Sequence, residues 1–308
     1  MSGPSSGLEA LARSRRFCVT SEVVPPRSGS PGPVDRQARE LVGYADAANV
    51  TDNPTASAHM SPVAGAGIVA RAGLEPTVQL TVRDRNRLAL AGDLLGAWAL
   101  GARNVLCLTG DPLTVGDEPE ASFVGDIGVL ELVSLASTLR SEGRLPSGAE
   151  IADPPRYFVG VSDTPLLEHY DASRLEVKLD AGAHFVMTQI AYSVDRLAAW
   201  ADEVRSRGVF ERATVIVGVA PLRSARQAHY VNDHLPGVHV PGDLLEALED
   251  AGPEAEALGI AQCVGVVEAV QKIAGISGVH VMGLGRVEVV RQVIEGAGLL
   301  PRPPAASA

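Results

Sequence analysis

Short apolar runs alternate along the chain with longer segments in which apolar residues recur every three or four positions. The short runs end at Gly, Pro or polar residues, and several are rich in Val, as in Val215–Val219. This alternation predicts a repeated strand–helix order and therefore an α/β fold. Eight strands are predicted, at Phe17–Ser21, Ala48–Thr51, Thr77–Thr81, Asn104–Leu108, Tyr157–Val161, His184–Gln189, Thr214–Val219 and Val279–Met282.

Segments with helical spacing lie between these strands, and several end in Gly, as a left-handed helix end favours. The predicted helices are Val34–Tyr44, Pro62–Ala72, Asn86–Gly101, Gly128–Glu142, Pro165–Ala181, Val194–Arg207 and Val287–Ala297, with two more between Asp243 and Ala274. Continuous apolar strands suit a parallel sheet covered by helices, and eight of them predict a single (β/α)8 TIM barrel. A doubly wound open sheet is the alternative.

The pattern divides the chain into one barrel and two short ends. The barrel is predicted over residues 17–298, with a flexible N-terminus over 1–16 and a disordered tail over 299–308. The longest connections, Pro112–Asp126 and Pro221–Pro241, follow the fourth and seventh strands. Both are expected to overhang the barrel mouth as loops.

The amino-acid composition mainly excludes several classes of protein. The 308 residues are 46% hydrophobic, which suffices for one large core, and no apolar stretch predicts a membrane span or a secretion signal. Cys18, Cys107 and Cys263 have neither disulfide nor zinc-ligand spacing, so we predict no metal site and expect a reducing, cytoplasmic location. A net charge of -11 with dispersed basic residues argues against a nucleic-acid surface.

Polar residues close five of the predicted strands. Barrel enzymes place their sites at the C-terminal ends of strands, so these side chains should converge on one mouth. Taken alone, an acidic residue at such a position fits equally well as a solvated loop acid or a helix cap. The five strand ends are Ser21-Glu22, Thr51-Asp52-Asn53, Gln79-Leu80-Thr81, Thr109-Gly110-Asp111 and Thr188-Gln189.

Two further segments follow strand ends. Arg83-Asp84-Arg85-Asn86-Arg87 lies at a predicted helix start, where cations and backbone N–H groups favour phosphate; a solvated ion-pair cluster is the alternative. Gly283-Leu284-Gly285-Arg286 follows the eighth strand but lacks the spacing of a dinucleotide-binding fingerprint. We interpret it as a loop whose glycines allow another group to approach the backbone closely.

Taken in order, these strand ends resemble the methylenetetrahydrofolate reductase family from about Phe17 to Arg286. The segment Val19–Arg27, with Glu22 before Pro25-Pro26-Arg27, resembles the family's first strand. Asp180–Ala183 and Met187–Gln189 resemble its folate-contacting segment. Asn49–Thr55, Leu80–Arg87 and Leu106–Asp111 are similar to the short bacterial branch of acetogens and methylotrophs. The resemblance implies an enzyme that reduces 5,10-methylenetetrahydrofolate to 5-methyltetrahydrofolate with NAD(P)H.

The resemblance also implies residue roles. Glu22 takes the place of the general acid, Asp111 is catalytic and binds substrate, and Gln189 and Arg286 bind substrate as well. The residues implied in binding FAD are Thr51, Asp52, Gln79, Thr81, Arg83, Thr109, Gly110, Asp111, Asp171 and Lys178. Seven residues apart, Asp171 and Lys178 are predicted to share one helix face.

The chain departs from the family pattern where the reductant would bind. Val161–Thr164 replaces a Pro-Glu-x-His stretch, Gln79 replaces a histidine, and Leu222–Ala225 lacks the family's aromatic residue. FAD recharged by NADH or NADPH stays the expected cofactor, with direct transfer from the nicotinamide as the alternative. Two other interpretations stay open: a pterin-binding methyltransferase barrel, and a folate-binding subunit that needs a partner reductase. A homo-oligomer is compatible with each.

Overall fold

The computed structural model describes residues 3–235 and 237–302 and shows a closed barrel of parallel strands in chain order. Its strands are β1 Cys18–Val23, β2 Ala47–Val50, β3 Pro76–Thr81, β4 Asn104–Leu108, β5 Phe158–Asp163, β6 Phe185–Ile190, β7 Thr214–Val219 and β8 Ile276–Val281. β1 pairs with β8, with Cys18 opposite Gly278, so the sheet has no open edge. The predicted (β/α)8 barrel is confirmed.

Helices cover the outside of this barrel. Those in the described part of the chain are α1 Gly7–Arg13, α2 Gly32–Leu41, α3 Pro62–Arg71, α4 Arg87–Ala99, α5 Val129–Glu142, α6 Ser173–Asp180, α7 Val194–Ser206, α8 Val209–Arg212, α9 Ala225–His234, α10 Gly242–Asp250, α11 Ala255–Val270 and α12 Val287–Gly296. The two helices predicted between Asp243 and Ala274 are α10 and α11. None of the described helices is long and apolar enough to cross a membrane.

The lower interior of the barrel, at the strand starts, is a packed apolar core. Phe158 and Phe185 stack there with ring centroids 4.9 Å apart. Gly160 makes room for this pair, because a Cβ at that position would lie 2.0 Å from the Phe185 ring. Because side chains fill this half, the barrel interior is closed at the strand starts, and we expect ligand chemistry at the opposite end.

The described part of the N-terminus is helical, which corrects the prediction of a flexible 1–16. The Ser6 side chain caps α1 by accepting the Glu9 N–H at 2.9 Å. Leu8 is fully buried, and Glu9 pairs with Arg140 of α5 at 2.6 Å. A single turn or two of helix is too short to show a clear periodicity, so the tertiary contacts were not visible in the sequence.

Three other segments differ from the prediction. The long connection after β7 contains α9, and the helix predicted over Pro165–Ala181 is reduced to α6, so Asp171 precedes the helix and does not share a face with Lys178. Of the tail predicted over 299–308, residues 303–308 lie outside the described residues. Arg302 is buried in an ion pair with Asp46 at 2.6 Å.

Candidate active site

A cavity of about 360 Å³ opens at the C-terminal ends of the strands. Its lining includes most of the predicted site residues, namely Glu22, Asp52, Gln79, Thr81, Thr109, Gly110, Asp111 and Gln189. Larger clefts occur at the strand starts and between α4 and α5, but strand ends do not converge on them. The predicted convergence of strand-end side chains on one mouth is therefore observed.

Glu22 projects from β1 into this cavity and is the register partner of Asn49 on β2. Burial raises the pKa of Glu22 to about 7, against the opposing effect of the Leu284 backbone N–H. A carboxyl group with such a pKa is partly protonated at neutral pH. It can therefore donate a proton to a bound ligand.

Asp111 follows β4 and is held by the loop after β2. Its Oδ2 accepts the Thr55 N–H at 2.8 Å. Gly110 precedes it with φ +92°, and a Cβ there would lie 3.0 Å from the Cβ of Arg83. In the described part of the chain, Oδ1 of Asp111 accepts no hydrogen bond, which leaves this oxygen for a ligand.

The arginines of the 83–87 segment are engaged with carboxylates, which fits the ion-pair cluster that the sequence left open as the alternative to a phosphate site. Arg83 is only 3% exposed and donates to Asp84 at 2.6 and 2.7 Å and to the Asp111 carbonyl at 3.1 Å. Arg83 pairs with Asp84, and Arg87 pairs with Asp126. Arg85 pairs with both Asp52 and Asp93. The partners Asp52 and Asp126 lie far from Arg85 and Arg87 in the sequence, whereas Arg83 pairs with the adjacent Asp84.

Asp52 supports the cavity wall. Its buried carboxylate accepts two hydrogen bonds from Arg85, at 2.6 and 2.7 Å, and one from the Thr81 N–H at 2.8 Å. Burial raises the pKa of Asp52, and the charge of Arg85 opposes this rise. Both oxygens are thus committed to protein groups, and Asp52 fixes the ends of β2 and β3 relative to each other.

Two residues predicted to bind ligand lie beside the cavity. Thr51 is buried, and within the described residues its Oγ1 has no hydrogen-bond partner. Arg286 is exposed on the turn after β8 and pairs with Glu256 of α11 at 2.9 Å. Neither belongs to the described lining of the cavity.

Asp171 and Lys178 are also separated from the cavity. Asp171 is exposed and accepts hydrogen bonds from Ser173, at 2.6 Å from the hydroxyl. Lys178 Nζ donates to the Ser162 carbonyl at 2.5 Å, behind the cavity wall. Burial lowers the pKa of Lys178. The structure thus uses Lys178 to hold the end of β5.

Asn49 and His280 line the cavity but were missed in the sequence. His280 Nδ1 lies 2.9 Å from Thr20 Oγ1, and burial lowers the pKa of His280 to about 3, so its imidazole is neutral. Asn49 Nδ2 donates to the Met187 sulfur at 3.0 Å, and Asn49 Oδ1 is buried without a partner among the described residues. Each of the two is a polar residue inside a strand that was predicted as an apolar run. That pattern could have marked both residues as candidates in the sequence.

Asp163 is a third missed residue and closes β5 at the cavity wall. Its Oδ2 accepts the Tyr170 hydroxyl at 2.8 Å and the Trp200 indole N–H at 3.1 Å. Burial raises the pKa of Asp163 against these bonds. The strand runs two residues further than predicted, which brings Asp163 into the barrel rim.

Comparison with known proteins decides the family. The model of the family described as methylenetetrahydrofolate reductase matches residues 7–298, nearly the whole chain. The chain belongs to the methylenetetrahydrofolate reductase family. Its membership confirms the resemblance inferred from the ordered strand ends.

Two curated relatives carry the family name. Methylenetetrahydrofolate reductase 1 of Schizosaccharomyces pombe is 26% identical over 233 residues, covering 74% of this chain and 36% of that protein. The 5,10-methylenetetrahydrofolate reductase of Salmonella typhimurium is 24% identical over 244 residues, which cover 76% of this chain and 74% of that protein. The chain thus spans about a third of the yeast relative and three quarters of the bacterial one.

A solved structure shows the same fold. It is an uncharacterized protein from Clostridium thermocellum that binds two copies of 5-methyl-5,6,7,8-tetrahydrofolic acid. The TM-score is 0.63 at 11% identity, with 95% of this chain and 98% of that chain covered. At this identity the likeness concerns the barrel fold alone.

Proposed function

We propose that this protein is a methylenetetrahydrofolate reductase, which reduces 5,10-methylenetetrahydrofolate to 5-methyltetrahydrofolate with NADH or NADPH. The observation that carries the proposal is Glu22, a carboxyl group with a pKa raised to about 7 in the same strand-end cavity as Asp111 and Gln189. Family membership and the names of the curated relatives support the same reaction.

Glu22 acts as the general acid. The methylene carbon of the substrate bridges two nitrogens in a five-membered ring, and opening this ring leaves an electrophilic iminium. The leaving nitrogen needs a proton in that step, and a buried carboxyl group that is still protonated near neutral pH supplies it. The Glu22 carboxylate formed in this way also stabilises the adjacent cation.

Asp111 and Gln189 orient the pterin. The available Oδ1 of Asp111 accepts hydrogen bonds from pterin N–H groups, and its negative charge favours the cationic iminium. The Gln189 amide, which lines the cavity near the end of β6, binds the remaining polar edge of the pterin. Hydride addition to the iminium carbon then yields the methyl group.

The FAD implied by the family does not fit the described side chains. A flavin dinucleotide carries a diphosphate that needs free donors. The cations expected to hold it, Arg83 and Lys178, are bound to Asp84 and to the Ser162 carbonyl. Asp171, which the resemblance also implied in binding FAD, is on the surface. The proposed mechanism therefore contains no flavin.

Direct hydride transfer from the reduced nicotinamide is the mechanism that these residues favour. A nicotinamide and a pterin ring are both flat, and hydride transfer requires them to meet face to face in the strand-end cavity. NADH or NADPH leaves after each turnover. The protein therefore needs fewer contacts to its diphosphate than to that of a cofactor that stays bound. Asn49 lines the cavity, and its Oδ1, which has no partner among the described residues, provides a polar group for one of these rings.

The first test is an assay combined with an absorbance spectrum of the purified protein. We expect oxidation of NADH or NADPH that depends on 5,10-methylenetetrahydrofolate, and no flavin absorbance between about 300 and 550 nm even after incubation with FAD. A bound flavin that the nicotinamide bleaches would contradict direct transfer.

The same assay separates the other candidate functions. Folate binding without oxidation of the nicotinamide would contradict the reductase and favour a methyltransferase. Activity that appears only with an added protein fraction would identify a partner-dependent subunit.

A further inference from the structure

The carboxyl group of Asp163 is buried in the cavity wall without an ion-pair partner. Asp163 is only 7% exposed, and in the described part of the chain it takes part in no salt bridge. The charge of Lys178 acts on it, but Lys178 Nζ donates its hydrogen bond to the Ser162 carbonyl. Burying a carboxylate without a counter-ion is unfavourable, so its place beside a cavity points to a ligand.

Two donors from outside the barrel hold the Asp163 carboxyl group in place. The Tyr170 hydroxyl and the Trp200 indole N–H donate to the same oxygen, Oδ2, at 2.8 and 3.1 Å. The indole N–H can only donate, so Oδ2 carries no proton. Burial raises the pKa of Asp163, and the Tyr170 hydroxyl and the Lys178 charge oppose this rise. These contacts favour the ionised form and fix its orientation.

Asp163 and Glu22 lie on opposite sides of the cavity. Glu22 belongs to β1 and Asp163 ends β5, and these strands are four apart in either direction around the closed barrel. Both side chains line the same cavity of about 360 Å³. A ligand that fills the space between them therefore has the acid on one side and the fixed carboxylate on the other.

The proposed reaction creates a positive charge in this cavity and keeps it there. Proton transfer from Glu22 breaks the bond between the methylene carbon and the leaving nitrogen, and an iminium cation forms. A hydride from NADH or NADPH then adds to the iminium carbon. The folate is reduced to the neutral methyl compound, and the nicotinamide is oxidised to a pyridinium cation. Two electrons thus pass to the folate while the positive charge passes to the nicotinamide.

We infer that Asp163 is a further catalytic residue: its buried carboxylate stabilises the positive charge that forms on the folate and passes to the nicotinamide. The inference rests on the proposed function for the identity of the two rings. A fixed anion in a site that holds little water stabilises a cation more strongly than solvent does. The Tyr170 and Trp200 bonds keep the carboxylate oriented before the charge forms.

The other titratable side chains of the described cavity lining already have a role or a partner. They are Glu22, Asp52, Asp111 and His280. Asp52 is paired with Arg85, and burial lowers the pKa of His280 to about 3, which leaves its imidazole neutral. Glu22 is the proton donor, and Asp111 accepts the Thr55 N–H and binds the pterin edge. The charge of Asp163 is therefore available to the cation.

The test is equilibrium binding to the full chain, with pairs of ligands that differ mainly in charge. NAD+ is compared with NADH, and the cation 5,10-methenyltetrahydrofolate is compared with 5-methyltetrahydrofolate. Asp163→Asn removes the charge and keeps an oxygen that can accept from Tyr170 and Trp200. We expect it to weaken the binding of the cationic ligands about tenfold and that of the other two less than about twofold. The matched control, Asp202→Asn, removes an exposed carboxylate from α7 and should change none of the four affinities.

A loss confined to NAD+ or to the methenyl compound would support the inference and assign the carboxylate to that ring. Four results would overturn it: no loss, equal losses for all four ligands, the same losses in Asp202→Asn, or a parent protein that binds none of the ligands. If Asp163→Asn does not fold, Asp163→Ser, which keeps a hydroxyl acceptor, replaces it. Binding is measured without turnover, so the expected losses combined with a failed reductase assay would contradict the proposed function alone.

Discussion

Glu22 and Glu9 are two partly enclosed carboxyl groups whose pKa values move in opposite directions. Burial raises the pKa of Glu22 to about 7, since only a backbone N–H opposes it. Burial also acts to raise the pKa of Glu9, but hydrogen bonds from Arg140 and Ser5 outweigh it and lower the value to about 2. The partner, more than the depth of burial, decides which carboxyl keeps its proton.

The raised pKa of Glu22 predicts the direction of the pH dependence. A general acid must be protonated, so kcat should fall as the pH rises through about 7. Glu22→Gln cannot donate the proton, and we expect it to lower kcat by about 100-fold or more with folate affinity nearly unchanged. Steady-state kinetics from pH 5 to 9, about the range in which such a group titrates, checks both statements.

The matched control is Glu268→Gln on the exposed face of α11, which should behave as the unmodified protein. If the Glu22→Gln enzyme kept its full kcat, Glu22 would not be the general acid.

At the scale of elements, α1 closes the bottom of the barrel. Leu8 contributes to the interior core, and the Ser6 hydroxyl donates to Asn104 at the start of β4 at 2.8 Å. Glu9 and Arg140 join α1 to α5. We therefore treat the short helix as part of the fold, with its stability decided by contacts outside itself.

Arg140→Met should destabilise the fold. It leaves the buried Glu9 carboxylate without its main partner, which costs about 3 kcal/mol of unfolding free energy. Because the folded pKa of Glu9 is lowered to about 2, its contribution is present above the ordinary pKa and is lost as the pH falls toward 2. Urea unfolding at pH 7 and pH 4 should show a difference between variant and parent that shrinks at the lower pH.

Arg39→Met is the control for this prediction. It breaks the exposed Asp35–Arg39 pair on α2, which should change the unfolding free energy by less than about 1 kcal/mol. Equal effects of the two substitutions would mean that α1 is not held by Glu9.

At the scale of the whole molecule, the barrel interior has two halves. Phe158, Phe185 and Ile216 fill the end at which the strands start. Polar side chains such as Thr20, Asn49 and His280 approach the opposite end, beneath the cavity. The packed half keeps the strands in register, and the polar half can therefore carry buried groups with unsatisfied hydrogen-bonding capacity for a ligand.

Gly160→Ala tests the packed half. A Cβ at this position would lie 2.0 Å from the Phe185 ring, so the ring must move and we expect a loss of about 1 to 3 kcal/mol. Thermal unfolding measures the effect. The control Gly92→Ala adds a Cβ in α4 with no heavy atom within 4 Å and should be neutral or stabilising by up to about 1 kcal/mol. Equal melting temperatures for Gly160→Ala and the parent would contradict the packing.

The sequence by itself determined the barrel and the end of it that carries the site. Strand and helix periodicities are local, and closure of eight parallel strands brings every strand end to one mouth. Glu22, Asp111 and Gln189 could therefore be placed together without coordinates, and their order along the chain was enough to indicate the family.

Only the tertiary structure decided which charges are free. Arg83 looked like a phosphate ligand beside a helix start, yet its partners come from loops after β2 and β4 as well as from its neighbour Asp84. The pKa of Glu22 depends on its burial in the folded barrel, and the hydrogen bond from Arg223 to the Leu284 carbonyl joins the loops that follow the adjacent strands β7 and β8. Ion pairs and burial join residues far apart in the chain, and no local pattern records them.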